Sequence, residues 1–115
     1  MKQLAKISSA KFGIGGYQDA MIGLHLQFSS GCIGVGTNDC AWDCSRIKHD
    51  KHCEWTEEER GRNYEQIMRN LSEKLNDAKV SDVADLVGIP VELEFDDESA
   101  LGGTLTDWRI LTEVL

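Results

Sequence analysis

The chain has 115 residues, a formal net charge of −8, and 28% charged against 41% apolar residues. That length fits one domain, 1–115, large enough to fold without a metal or a disulfide. The negative balance repels phosphate backbones and so disfavours direct binding to DNA or RNA.

Residues 4–12 read as a first strand. The glycines at 13, 15 and 16 then read as a turn, since glycine takes the left-handed angles that tight turns need. Ile22, Leu24, Leu26 and Phe28 share one parity, and Gly23, His25 and Gln27 the other. That period of two marks a half-buried strand, with His25 on its exposed side. After a Ser29–Gly31 turn, Ile33, Val35 and Thr37 form a third strand, with Cys32 as core filler. These spacings predict an antiparallel meander.

The period changes in the second half. Thr56 is a helix-capping residue, and Glu59 is its capping-box partner. Tyr64, Ile67, Met68, Leu71, Leu75 and Ala78 make one apolar stripe, which predicts a helix over 57–78. A further helical turn over 82–87 has Ser81 as its cap and ends at Gly88. Pro90 starts a strand with Val91, Leu93 and Phe95 on one face. A polar loop over 97–103 follows. Trp108, Ile110, Thr112 and Val114 share one parity to the end. The expected fold is α+β: a three-stranded N-terminal meander plus a C-terminal hairpin in one antiparallel sheet, with one long amphipathic helix on one face.

Between the third strand and the helix lies a Cys/His-rich loop, 38–55, that shows no period. Connections of this length need something to organise them. Zinc is one candidate, held by Cys40, Cys44, His49 and Cys53, with His52 as the alternate to His49. Such a closed site would be structural. A loop pinned by Trp42 and Trp55, or a redox pair at Cys40 and Cys44, explains the same residues, and no paired CxxC motif decides between them. Arg46, Lys48, Arg60 and Arg62 form a basic patch that reads either as a solvated face or as a site for an anionic ligand.

Other constellations point away from chemistry. GIGG at 13–16 and GVGT at 34–37 match no phosphate-binding pattern. The acidic run at 92–98 lacks an EF-hand spacing. No nucleophile elbow or triad order is present, so the expectation is a protein that is not an enzyme. No apolar run reaches the roughly 20 residues of a membrane span. Residues 1–6 lack the apolar core of a signal peptide. The expected location is the cytoplasm, where thiols stay reduced.

Six phrases carry a likeness: KISSA at 6–10, GGYQDA at 15–20, GVGT at 34–37, WTEEER at 55–60, IPVELEF at 89–95 and WRILTEVL at 108–115. Together they resemble an uncharacterised family of small bacteriophage and prophage proteins, over nearly the whole chain except the Cys/His loop. The resemblance implies an accessory factor in the host cytoplasm, and it brings no activity, metal or site residue. Its expected role is counter-defence by blocking a basic host protein surface. The alternative is a sponge for a small nucleotide-like signal molecule, or a zinc-stabilised interaction domain. An open sheet edge adds the expectation of a homo-oligomer.

Overall fold

The computed structural model describes residues 1–31, 33–96 and 103–115. The expectation for Cys32, and that for all but the last residue of the loop at 97–103, fall outside those residues. Five strands form one sheet: β1 (Lys2–Gly15), β2 (Met21–Ser30), β3 (Ile33–Trp42), β4 (Pro90–Phe95) and β5 (Leu105–Ile110). Their order is β3-β2-β1-β4-β5, and every neighbouring pair is antiparallel. One long helix, α1 (Glu57–Ala78), packs on one face. The fold is therefore α+β, with the meander and the C-terminal hairpin joined through β1 and β4.

Register explains which side chains face the helix. Residues directly opposite in an antiparallel pair share a face. Ile7 opposes Phe28, Phe12 opposes Leu24, Ala5 opposes Val91, and Leu93 opposes Trp108. Leu71, Leu75 and Ala78 of α1 close over this apolar face. Ile7, Leu24, Leu26, Phe28, Leu86 and Val91 are almost wholly withdrawn from solvent. The other face carries Lys6, Lys11, His25, Gln27 and Asn38. His25 spans three strands there, with Nδ1 2.8 Å from Asn38 Oδ1 and Nε2 3.1 Å from the Gly13 carbonyl. It is half-buried rather than exposed as expected.

Several boundaries differ from the sequence reading, each for a local reason. β1 runs to Gly15, beyond the expected end at residue 12. A bulge between Ile7 and Ser9 switches parity, so that Ala5 and Ile7 share a face with Ala10, Phe12 and Ile14. The glycines beyond it belong to the strand rather than the turn. A Cβ on Gly15 would meet the His25 ring at 3.1 Å. The turn comes later, at Gly16 (φ 68°) and a short 3-10 turn, Tyr17–Asp19. β3 reaches Trp42 and takes in 38–42 from the supposed loop. Gly23 makes that pairing close: a Cβ there would lie 2.2 Å from the Asp39 carbonyl oxygen.

The helix begins where the cap predicts. Thr56 accepts a hydrogen bond from the Glu59 amide at 3.1 Å, and three glutamates occupy the positive end of the helix dipole. The next turn is a 3-10 segment, Val83–Leu86, capped by Asp82 and not Ser81. β5 stops at Ile110; Thr112–Val114 is a 3-10 turn with Val114 exposed, so the final parity run does not continue as strand.

Candidate functional site

The long connection is organised by Arg60. This side chain is 5% exposed, although it belongs to the first turn of α1. Its guanidinium donates to the Ile47 carbonyl at 2.6 Å, grips the Glu57 carboxylate with two nitrogens, and lies 4.7 Å from the centre of the Trp55 ring. A planar fork of five donors can serve all three partners at once. His49 packs edge-on against the same indole at 5.2 Å. Two tight turns complete the segment. Asp43 accepts from the Arg46 and Ile47 amides through its carbonyl and from the Ser45 hydroxyl through its carboxylate. Asp50 accepts from the His52 and Cys53 amides.

The proposed metal ligands are not brought together. Cys40 sits on the outer face of β3, its thiol 3.7 Å from Met21 Sδ. Cys44 is exposed beside Tyr64, His49 is held on Trp55, and Cys53 turns back toward Asp50 and Lys48. His52 is exposed. Among the described residues no group of three or more His, Cys, Asp or Glu side chains stands at metal-binding separation. The Cys40 thiol is pushed up by burial first and by the neighbouring Asp39 charge second.

Three of the four basic residues have partners within the chain. Arg46 donates to the Asp19 carbonyl and pairs with Asp43, and Arg62 pairs with Glu58. Arg60 is committed as above. Lys48 is exposed.

What the fold does build is a cleft of about 270 Å³ between α1 and the β1–β2 hairpin. Phe12, Ile22 and Gly23 form its floor, and Tyr64, Ile67 and Met68 its helical wall. Asp43 and Cys44 close one end. The Tyr64 hydroxyl is already spent on the Trp42 carbonyl at 2.6 Å, and burial, first of all, raises its pKa. Met68 is 57% exposed and Phe12 38% exposed. Such a space is at the small end for an organic ligand but holds one or two large side chains. Filling it with one apolar side chain is worth about 1.5–3 kcal/mol.

The sequence reading placed Met68 in the core stripe and missed Phe12. Only Met68 carries a signal in the sequence. Met68 lies one position off the 60, 64, 67, 71, 75, 78 series, and Phe12 lies beyond a bulge that a single sequence does not announce. No helix among the described residues is long and apolar enough to cross a membrane. Compared with family models, with curated proteins and with solved structures, the chain matches none.

Proposed function

We propose that this chain is a non-enzymatic binding module, an accessory protein of bacteriophage type that acts in the host cytoplasm by occupying a partner's surface. The observation that carries this reading is the open apolar cleft beside α1. Phe12 and Met68 stand exposed at its mouth; Met1, Leu4, Tyr17, Val87, Val114 and Leu115 are exposed as well, but none of these lines the cleft. Exposed apolar surface next to a shaped depression marks a site of contact. Its polar groups are turned to structural ends, the Tyr64 hydroxyl to Trp42 and the Asp43 carboxylate to Ser45 and Arg46.

The net charge of −8 adds direction. It steers the molecule toward a partner whose surface is basic overall, and raises the encounter rate more than the final affinity. Blocking such a host surface is the counter-defence role that fits. The test is a photo-crosslinking amino acid in place of Met68. Irradiation in host lysate is expected to join the chain to one dominant protein. A crosslink pattern no different from one obtained at Ser72, on the exposed side of α1, would count against the reading.

A further inference from the structure

β1 is longer than its neighbour. β4 pairs with Lys2–Lys6 only, and the last bonds on that side join Ile7 to Gly88 and Ile89. Beyond them, at 10–15, β1 is paired to β2 on one side, and among the described residues no strand pairs with it on the other. Antiparallel strands direct alternate backbone groups to opposite edges, so this stretch presents free N–H and C=O groups. Natural sheets cover or blunt such edges. Here the edge lies alongside the cleft, because Phe12 belongs to both.

We propose that the β1 edge at 10–15 takes up an extended segment of a partner protein whose alternate residues are apolar and acidic. This deepens the binding-module reading and rests on it. The free backbone edge calls for an extended chain, which adds as a sixth strand. The period of two does the rest. On the helix side, alternate side chains of the added strand pack over Phe12 toward Met68. On the opposite side they meet Lys11. β1 contains three lysines and no acidic residue, within a chain of 20 acids and 12 bases. Lys2 is paired with Glu92, whereas no described carboxylate stands within ion-pair distance of Lys11. The Lys11 stem lies along the outer face near Gly13, where no side chain obstructs it. Opposite charges across a strand pair stabilise it, and like charges oppose it. Two copies joined symmetrically by this edge would bring their lysines together, which disfavours a second copy as the occupant. The net charge draws in a partner that is basic overall, while at contact, where fields decay over about 8 Å at physiological salt, Lys11 selects the acidic residues of the segment that docks.

The test uses two synthetic heptapeptides, capped at both ends, in which Val and Ile alternate either with Glu or with Lys. Binding to the full chain is followed by fluorescence anisotropy, with the uncharged apolar dye Nile red as a separate probe of the cleft. The Glu peptide is expected to bind about tenfold tighter than the Lys peptide, and Lys11→Glu to reverse that order. N-methylation of one alternate set of peptide amides should weaken binding about tenfold, and of the other set little, because only one set faces the edge. If dye binds and Met68→Glu abolishes it, while neither peptide binds, the strand proposal fails and the cleft reading stands. If neither dye nor peptide binds, both fail. Equal losses from the two methylation patterns, or self-association of the chain through this edge, would also overturn the proposal.

Discussion

Arg60 and Ile47 are joined by a 2.6 Å hydrogen bond from guanidinium to carbonyl, and this contact fixes the loop to the helix. It does for the connection what a metal was expected to do. One buried cation, shared by an acid, a carbonyl and an indole, converts a segment without period into a defined one.

Replacing Arg60 with Met keeps most of the volume and removes every donor. The expected cost is about 2–3 kcal/mol, from an orphaned carbonyl and a lost cation–π contact. Arg60→Lys recovers only part, since an ammonium cannot fork to three partners. Urea unfolding measures the cost. Hydrogen exchange should show faster opening of residues 44–56, while the centre of α1 keeps its protection.

The thiols give a second test. Cys44 is exposed and should react first with a disulfide reagent at pH 8, and Cys40 later, because burial and Asp39 hold it protonated. Cys44→Ser should change stability by less than about 0.5 kcal/mol. EDTA should leave the Tm unchanged. Stoichiometric zinc in protein purified without added metal, with a Tm that falls on chelation, would show that the ligands assemble after all.

Much of the fold was legible. Thr56 and Glu59 marked the helix start, and Leu24, Leu26 and Phe28 marked β2 by alternation. Both signals are local. The bulge at Ser8 was not legible, because it is defined by the partner strand. Nor was β3 beyond Thr37: its inner-facing Asp39 breaks the apolar parity, and the partner that satisfies it, Asn70 at 2.7 Å, is 31 residues away. Arg60 had a signal that went unread. It extends the apolar series of Tyr64, Ile67, Leu71, Leu75 and Ala78 backward by one turn, so its inward direction was fixed by helix geometry.

The core predicts a coupling. Phe28 and Trp108 pack with ring centres 5.1 Å apart. Phe28 is almost fully buried, so Phe28→Ala should cost about 3–5 kcal/mol. Trp108 is half-buried beneath Lys74, and Trp108→Ala should cost less, about 2–3 kcal/mol. The double variant should fall short of the sum by about 0.5–1.5 kcal/mol. Chemical denaturation of the four proteins decides it.

Alkaline pH should weaken the fold. Cys40 and Tyr64 both have folded-state pKa values raised above the usual 9.0 and 10.0, each chiefly by burial. The folded chain therefore binds these protons more tightly than the unfolded chain. Their stabilising effect is whole below about pH 9 and is lost as pH rises through the raised values. The Tm should hold steady from pH 7 to pH 8.5 and fall above pH 9, with a shallower fall in Cys40→Ala.

If the molecule works through contact at the cleft, as we propose, a change at Met68 should remove its partner. The decisive measurement is affinity capture from host lysate, with wild-type chain and Met68→Glu side by side. The expected result is one partner recovered near one-to-one by the wild-type chain and lost from a variant that keeps its Tm. Equal recovery by both, or no stoichiometric partner with either, would contradict it.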